Sequence, residues 1–427
     1  MTEIDVGVPK AAGIAQSAAK GDAGPVGRWP RGNDGGFLVG GRALATVVDE
    51  VGGTPCYLYD RGRLAERASA LRAAFPDRVL LHYAIKANPM PALVGFMASQ
   101  VDGFDVASAG ELRVALDAGM DRTHISFAGP GKQEAELRQA QAAGILVNLE
   151  SFREVDLLAR ASERSGTPAR VAVRVNLPFE LKASGMKMSG GAKQFGVDAE
   201  QVPALLRRIA DAGLAFEGFH CFAGSQNLRA EAIVEAQQRS YDLVREWLDV
   251  FPAPLRMLNL GGGFGIPYSD RDHALDTGPV FASLHGLAAR TAGDFGPQAR
   301  LVIELGRYLV GEAGIYVCRV LDRKISRGKV FLVTDGGMHQ HLAASGNFGQ
   351  VMRRNYPIAV DGGGGEREKA SVVGPLCTPL DLLGDDIELD HSAEPGDLVV
   401  VFQSGAYGRT ASPRQFLGHP DVTEALV

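Results

Sequence analysis

The sequence predicts an α/β protein that combines a (β/α)8 barrel of the TIM type with a second, mainly antiparallel β domain. Between about residues 62 and 307, short apolar runs alternate eight times with amphipathic helical segments. From about residue 311 onward, β-rich runs follow without long helices between them. Repeated strand–helix alternation is typical of a closed parallel barrel, and an open doubly wound sheet is the structural alternative.

The barrel elements follow one another regularly, beginning with a helix predicted over 62–74. Helical periodicity is clearest in "SAGELRVALDAG", "EAELRQAQAAG" and "EAIVEAQQRSYDLVREWLDV". The eight strand candidates are 78–86, 103–108, 124–129, 145–150, 171–177, 217–224, 256–263 and 300–307.

Three parts of the chain are therefore expected. Residues 1–35 are rich in Ala, Gly and Pro with few bulky apolar side chains, which predicts a flexible leader. The barrel is placed at 61–307. The early runs "FLVGG" and "CYLYD" do not fit the barrel count, so we expect them to join the C-terminal strands. This gives a discontinuous β domain built from residues 36–60 and 308–427.

Composition excludes several classes of protein. The net charge is −6 and the calculated pI about 5.9, which argues against a nucleic-acid or anionic-membrane partner. No apolar run approaches the roughly 20 residues of a membrane span, and no secretion signal is recognisable. The cysteines are far apart, without a CxxC pair: Cys56, Cys221, Cys318 and Cys377. This pattern predicts free thiols, no metal site and a cytoplasmic location.

Chemically capable residues lie at the C-terminal ends of the predicted strands, the rim where barrel active sites lie. They are Lys86, which closes the first strand, Asp105 and Ser108 at the end of the second, His220 and Phe222 at the sixth, Gly261, Gly262 and Gly263 at the seventh, and Glu304 and Arg307 at the eighth.

Each of these residues also has an ordinary explanation. Lys86 could reach into solvent, the glycines could form only a tight turn, and Glu304 could pair structurally with Arg307. Ser225 or Asn227 of "GSQNL" could simply cap the next helix. Together, however, a lysine and a backbone-amide cradle on one rim suggest pyridoxal 5'-phosphate held as a Schiff base.

Nine short motifs make the chain resemble the fold-type III pyridoxal-phosphate decarboxylases, which include diaminopimelate, ornithine and arginine decarboxylases. They occur in the family's order from about residue 37 to 410: "HYAIKAN", "GFDVASAGEL", "KQFGV", "GFHCFAGSQ", "LNLGGGFG", "ELGR", "TDGGM", "GPLCTPLD" and "SGAYG". The fold implied by this resemblance, an alanine racemase-like barrel with a β domain, is the one that periodicity predicts.

The resemblance also implies roles for individual residues. Lys86 would be the Schiff-base lysine and Glu304 the carboxylate facing the pyridine nitrogen, so that the ring can accept electrons. Arg307 would contact the phosphate or the substrate's carboxylate. Cofactor contacts are further implied for Asp105, His220, Phe222, Ser225, Gly261, Gly262, Gly263 and Tyr407.

Cys377 resembles the general acid that returns a proton after decarboxylation. In this family it comes from the second subunit, which implies a homodimer with shared active sites. The alternative for Cys377 is a buried small hydrophobic residue.

Several positions depart from the family pattern. Phe222 stands where a histidine usually stacks on the cofactor, and an aromatic ring can still stack there. Thr378 replaces a glutamate that engages the distal ammonium in diaminopimelate decarboxylases. After "DGGM" the sequence reads "HQHLAASGNFG" in place of an Arg-Pro and a Leu-Tyr-Gly stretch. "ELGR" also stands in place of the more usual Glu-Pro-Gly-Arg, which we expect to change the backbone only slightly.

These departures argue against a diamino acid with a second carboxylate, because a charged group without its partner is costly in a desolvated pocket. The pattern looks more like a side branch with the exosortase-system-associated decarboxylases and those acting on carrier-tethered aminoacyl groups. Arg353 and Arg354 could meet an acidic carrier or form a solvated basic helix end. Substrate contacts are predicted for Arg307, His339, His341, Thr378 and Asp381.

The prediction is therefore a PLP-dependent decarboxylase acting on an amino acid or a carrier-tethered aminoacyl group. The alternatives are a diaminopimelate decarboxylase making lysine, an amino-acid racemase, and a non-catalytic decarboxylase-like regulator.

Overall fold

The computed structural model describes residues 24–180, 186–269, 271–347, 354–363 and 366–427. Residues 1–23 of the expected leader lie outside this range. Residues 24–35 differ from the expectation, because they pack against the β domain. Trp29 is buried, with its ring centroid 5.9 Å from that of Phe402, and Arg28 pairs with Glu312 at 3.0 Å. The buried indole fixes this segment to the protein.

Short elements precede the barrel. They are β1 (Leu38–Val39), β2 (Arg42–Ala43), α1 (Leu44–Glu50) and β3 (Cys56–Tyr59). Strands β1 and β2 form a hairpin of their own, whereas β3 joins the sheet of the β domain.

The next strands form the barrel and its rim. They are β4 (Val79–Ala84), β5 (Gly103–Val106), β6 (Ile125–Phe127), β7 (Leu146–Leu149), β8 (Arg170–Asn176), β9 (Met186–Lys187), β10 (Val197–Asp198), β11 (Ala215–Cys221), β12 (Gly224–Ser225), β13 (Met257–Gly262) and β14 (Arg300–Leu305).

Eight of these strands close a parallel barrel in the order β4, β5, β6, β7, β8, β11, β13 and β14. Strand β14 pairs with β4, and β7 pairs with β8, so no edge remains and the open-sheet alternative is excluded. The predicted eight strands are confirmed. Strand β10 only extends one side of β8, and β9 pairs with β12 at the rim.

Helices cover the outside of the barrel. They are α2 (Arg61–Ala74), α3 (Pro91–Met97), α4 (Ala109–Asp117), α5 (Glu134–Ala143), α6 (Phe152–Ser165), α7 (Val202–Asp211), α8 (Ala230–Arg245) and α9 (Gly278–Phe295). A short helix, α10 (Arg307–Val310), follows β14 at the rim.

Local sequence sets the ends of these helices. The hydroxyls of Ser108 and Ser151 accept hydrogen bonds from the backbone of Glu111 and Glu154, at the starts of α4 and α6. Gly144 ends α5 in a left-handed conformation, with φ 73°.

The β domain follows the barrel. Its strands are β15 (Gly314–Ser326), β16 (Lys329–Thr334), β17 (Ile358–Val360), β18 (Glu368–Val373), β19 (Leu382–Leu389), β20 (Leu398–Val401) and β21 (Thr423–Leu426). The sheet runs β17, β20, β15, β16, β18, β19, with β3 lying between β15 and β21. Pairing is antiparallel except for β16 with β18 and β21 with β3. The contribution of β3 to this sheet is as predicted, whereas the "FLVGG" run, also expected to join it, contributes β1 to the separate β1–β2 hairpin.

Two features of this architecture bear on function. The segment after β20 reaches back to the barrel, where the backbone N–H of Tyr407 donates to the carbonyl of Ala87 at 2.7 Å. The rim at the C-terminal strand ends is therefore covered on one side by the β domain. Within the described residues, no helix has the length and apolar character needed to cross a membrane.

Candidate active site

Lys86 is the exposed residue in an otherwise buried stretch. Strand β4 ends at Ala84, and Lys86 lies in the following 3-10 turn, Ile85–Ala87. Its Nζ lies 5.6 Å from the centroid of the Phe222 ring. The turn is held by Asn88, whose Nδ2 donates to the carbonyl of Gly405 at 3.0 Å. The amine therefore faces a pocket at the rim.

This pocket lies between the barrel and the β domain. It is lined by Ala84, Lys86, Phe222, Ser225, Gly263, Phe264, Glu304, Leu305, Gly306, Arg307 and Tyr407. Seven residues predicted for the site are thus brought together: Lys86, Phe222, Ser225, Gly263, Glu304, Arg307 and Tyr407. The pocket combines an amine, a carboxylate, a guanidinium and three aromatic rings.

Glu304 is buried, and its side chain contacts His220 and Asn259, whereas the sequence allowed a structural ion pair with Arg307. Its Oε2 lies 3.1 Å from Nε2 of His220 and accepts from Nδ2 of Asn259 at 3.0 Å. Burial acts to raise the pKa of this carboxyl, but the charge and hydrogen bond of His220, with Lys86, hold it well below its ordinary value. The carboxylate is therefore ionised. Among the described contacts it forms no ion pair with Arg307.

Asp105 lies in a polar layer within the barrel and does not line the pocket. Its Oδ1 lies 3.3 Å from Nδ1 of His82 and accepts a hydrogen bond from Ser126. Asn148 on the next strand donates to Ser126 at 3.2 Å. Burial acts to lower the pKa of His82, but the Asp105 carboxylate raises it above its ordinary value. A direct cofactor contact from Asp105 stays a prediction.

The glycine run both turns the chain and opens the pocket. Gly263 has φ 74°, and a Cβ on it would lie 2.2 Å from the carbonyl oxygen of Gly224. A Cβ on Gly262 would lie 1.9 Å from the carbonyl oxygen of Glu304. Asn259 Oδ1 accepts from the N–H of Gly261 at 2.7 Å. No side chain fits here, so the backbone forms the pocket wall.

Arg307 lines the same pocket as Lys86. Its Nη1 donates to the hydroxyl of Tyr268, and its Cζ lies 4.7 Å from the Tyr407 ring centroid. Burial acts to lower the pKa of Arg307, but the surrounding tyrosine oxygens raise it, so the cation is retained. Tyr407 has φ 54°, an uncommon left-handed conformation for a non-glycine residue.

Cys377 is exposed and lies outside the pocket of its own chain, which excludes the buried hydrophobic alternative. The other three cysteines are buried. Burial raises the pKa of Cys56 and of Cys221 to about 12, and raises that of Cys318 as well. Cys377 is therefore the accessible thiol of the chain.

Asp381 and His341, predicted to contact substrate, are occupied by internal contacts. The Asp381 carboxylate accepts from the backbone N–H groups of Met338 and Leu376, at 2.6 and 2.8 Å. His341 Nε2 lies 2.8 Å from the Ser404 hydroxyl, and burial lowers the pKa of this histidine to about 3. Both side chains join segments of the β domain and do not line the pocket.

Two other predicted substrate residues also lie outside the pocket of the single chain. The His339 ring is buried 5.2 Å from that of His419, and burial lowers the pKa of His339 to about 4. Thr378 donates its backbone N–H to the carbonyl of Leu376 at 2.8 Å. Arg353 lies outside the described residues, and Arg354 is exposed, 3.4 Å from Asp272.

Sequence reasoning missed His82, Asn259 and Tyr268 as contributors to the site. His82 and Ala84 stand two residues apart on β4, so alternation could have placed both inside the barrel. Asn259 precedes Gly261 by two residues and could have been inferred in the same way. Tyr268 follows the glycine run on an irregular loop, and no periodicity indicates its direction.

The pocket fits pyridoxal phosphate by the chemistry of its donors. A lysine amine lies beside a flat aromatic face, and an ionised buried carboxylate lies within the same lining. The lining also offers side-chain-free backbone at Gly263 and a buried Arg307 Nε without a hydrogen-bond partner among the described residues. These groups suit an anion such as phosphate. No cluster of metal-ligating side chains occurs in the described parts of the chain.

Comparison with known proteins agrees with this fit. The family profile described as pyridoxal-dependent decarboxylase, pyridoxal binding domain, matches residues 61–311. The chain is 38% identical over 380 residues to the L-glutamyl-[BtrI acyl-carrier protein] decarboxylase of Niallia circulans, covering 87% of this chain and 88% of the relative. It is 32% identical over 403 residues to the diaminopimelate decarboxylase of Aquifex aeolicus, covering 92% and 91%.

Solved structures show the same architecture. The diaminopimelate decarboxylase of Helicobacter pylori, complexed with L-lysine, superposes with a TM-score of 0.79 at 27% identity, covering 90% of this chain and 94% of that chain. The barrel, the joined β domain and the lysine pocket are thus accompanied by sequence similarity over nearly the whole length. The chain belongs to the pyridoxal-dependent decarboxylases of the ornithine, arginine and diaminopimelate decarboxylase family, and pyridoxal phosphate is its cofactor.

Proposed function

We propose that this enzyme removes the α-carboxylate of an amino acid that is attached to a carrier protein through its side chain. The observation that carries the proposal is the similarity to the L-glutamyl carrier-protein decarboxylase, at 38% identity over 87% of this chain. Pyridoxal chemistry needs a free α-amino group and a free α-carboxylate. Only the side chain is then left for a carrier linkage.

Two sequence departures from the diaminopimelate decarboxylases support a substrate without a free distal carboxylate. Ala343 and Ala344 stand in the stretch where diaminopimelate decarboxylases are expected to carry an Arg-Pro pair, and both are buried. Thr378 replaces the expected acidic residue. Binding a distal carboxylate without a cation would leave a desolvated charge unpaired, which costs several kcal/mol. A side-chain thioester or amide carries no such charge.

Several residues of this chain would each have a separate role in the reaction. When bound, pyridoxal phosphate supplies the electron sink for the bond that breaks. The Lys86 amine would hold the cofactor's aldehyde carbon, and the Phe222 face would pack on its ring. Glu304, kept ionised by His220, would hold a proton on the ring nitrogen. Gly263, Ser225 and Arg307 would bind the phosphate.

The returning proton is proposed to come from Cys377 of a second copy of the chain. In the single chain this thiol is exposed and outside the pocket, so it can serve only another copy's site in this conformation. The proposal therefore includes a homodimer in which each subunit completes the active site of the other.

The experiment compares three substrates with one preparation of holoenzyme: L-glutamate linked through its side chain to a carrier protein, free L-glutamate, and meso-diaminopimelate. We expect CO2 release and the matching loss of mass on the carrier-bound substrate alone. Turnover of free diaminopimelate with an inert carrier substrate would overturn the proposal. It would favour the second candidate, diaminopimelate decarboxylation, which the 32% identity to the Aquifex aeolicus enzyme supports.

The same incubation tests the remaining alternatives. Chiral analysis without CO2 release would indicate a racemase. Absence of any reaction with all three substrates, in protein that contains the cofactor, would favour a regulatory relative.

A further inference from the structure

The guanidinium of Arg307 is enclosed by three tyrosines from both domains. Its Nη1 donates to the hydroxyl of Tyr268, and its Cζ lies 5.4 Å from the Tyr268 ring centroid and 4.7 Å from that of Tyr407. The Tyr268 ring packs in turn on that of Tyr356, with centroids 4.7 Å apart. Tyr268 belongs to a loop of the barrel, whereas Tyr356 and Tyr407 belong to the β domain.

The loop that carries Tyr268 is fixed by side-chain amides. Gln226 Nε2 donates to the carbonyl of Ile266 at 2.6 Å, and its Oε1 accepts from the N–H of Ile266 at 3.2 Å. Gln403 Nε2 donates to the carbonyl of Pro267 at 2.7 Å. Both glutamines have left-handed backbones, with φ 57° and 58°. Such conformations are costly for non-glycine residues and persist where the surroundings hold them.

A carboxylate holds the loop on the C-terminal side of Tyr268. Asp272 Oδ2 accepts from the backbone N–H groups of Tyr268 and Ser269, at 3.0 and 3.1 Å. The loop is therefore held on both sides of the residue whose hydroxyl contacts Arg307. A planar guanidinium with one nitrogen bound in this way has little freedom to rotate.

We propose that Tyr268 is a positioning residue, whose hydroxyl orients Arg307 so that the rest of its guanidinium binds the phosphate of the cofactor. This inference rests on the assignment of the pocket to pyridoxal phosphate. Arg307 lines the pocket together with Ser225, Gly263 and Gly306. Its Nε is buried and has no hydrogen-bond partner among the described residues. This buried Nε and the side-chain-free backbone at Gly263 belong to one pocket lining, where an anion fits.

Tyr268→Phe removes the hydroxyl and leaves the ring, so it changes little else. Apo-protein is titrated with pyridoxal phosphate and, separately, with pyridoxal, which lacks the phosphate, and binding is followed by absorbance. We expect the Kd for pyridoxal phosphate to rise about tenfold, the usual scale for loss of a hydrogen bond to a charged group. The Kd for pyridoxal should change less than about twofold.

Tyr241→Phe is the matched control, because it removes another buried tyrosine hydroxyl whose partner is a charged group. Tyr241 donates to Asp294 at 2.9 Å and does not line the pocket. It should leave the ratio of the two dissociation constants unchanged.

A double-mutant cycle separates positioning through Arg307 from a general effect on the loop. In an Arg307→Lys background, Tyr268→Phe should have no further effect on pyridoxal phosphate binding. Equal weakening of both ligands by Tyr268→Phe would overturn the proposal, as would an unchanged Kd for pyridoxal phosphate. None of these measurements depends on which amino acid is decarboxylated, so failure here is distinct from failure of the proposed substrate.

Discussion

Replacing Glu304 by glutamine tests the central electrostatic feature of the site. The substitution keeps the shape of the side chain and its capacity to accept from Asn259, but it removes the charge opposite His220. For a protonated His220, Coulomb attraction across the 3.1 Å between its Nε2 and Glu304 Oε2, with an effective dielectric of about 20, amounts to about 5 kcal/mol. Desolvation of the buried groups offsets part of this.

The net loss in stability at pH 7 should be about 1.5–3 kcal/mol, the usual value for a hydrogen bond to a charged group. The pH dependence follows from the lowered pKa of Glu304. A carboxyl whose folded pKa lies below its ordinary value of about 4.3 stabilises the fold fully above that value, and this contribution is lost as the pH falls through the folded pKa. The difference between wild type and variant should therefore shrink on acidification below about pH 4.

The assay is urea unfolding of apo-protein, followed by circular dichroism at several pH values. Glu235→Gln is the control, because Glu235 also pairs at 3.0 Å, with Arg239, but on the exposed face of a helix. That variant should lose less than about 0.5 kcal/mol. Equal losses for the two variants at pH 7, or a larger Glu304→Gln effect in acid, would refute the electrostatic reasoning.

Three further substitutions give separate outcomes. Lys86→Ala should abolish the visible absorbance of the cofactor and turnover while circular dichroism is unchanged, and retained wild-type turnover would contradict the assignment of the lysine. Cys377→Ser should lower kcat by about 10²-fold or more without changing the urea midpoint, because the thiol is exposed; unchanged kcat would remove its proposed role as proton donor. Lys132→Met should destabilise the fold by about 3–5 kcal/mol, since it leaves the buried Glu154 carboxylate, 3.1 Å from Nζ, unpaired. A loss below about 1 kcal/mol in urea unfolding would show that this cluster is solvated.

Periodicity predicted the barrel because each of its strands is a short apolar run between amphipathic helices. It was less informative in the β domain. Strand β19 reads "LLGDDIEL". Its sequence resembles that of a loop, because one face of the sheet is exposed and carries charged residues. Strand β21 pairs only with the distant β3, so local sequence carries no signal of it. The packing of residues 24–35 depends on the contact of Trp29 with Phe402, which is far away in the sequence.

The sequence predicted those site residues that lie at the ends of strands, as Lys86 and Glu304 do. It was not predictable where function depends on which way a side chain turns. Asp381 and His341 lie near motifs of the family, but their polar atoms are occupied by the backbone and by Ser404. Tyr268 has no motif of its own, and only the three-dimensional contact with Arg307 gives it a role.

The placement of β3 between β15 and β21 has a consequence for synthesis on the ribosome. Strand β3 emerges before the barrel, but its partners at Gly314–Ser326 and Thr423–Leu426 emerge only afterwards. The nascent chain must therefore keep an apolar strand unpaired while the barrel folds, a state that invites association with other chains. A premature stop codon at position 423 would remove β21 and leave one edge of β3 permanently unpaired. We then expect folding to depend more on chaperones, even though every residue of the pocket has been translated.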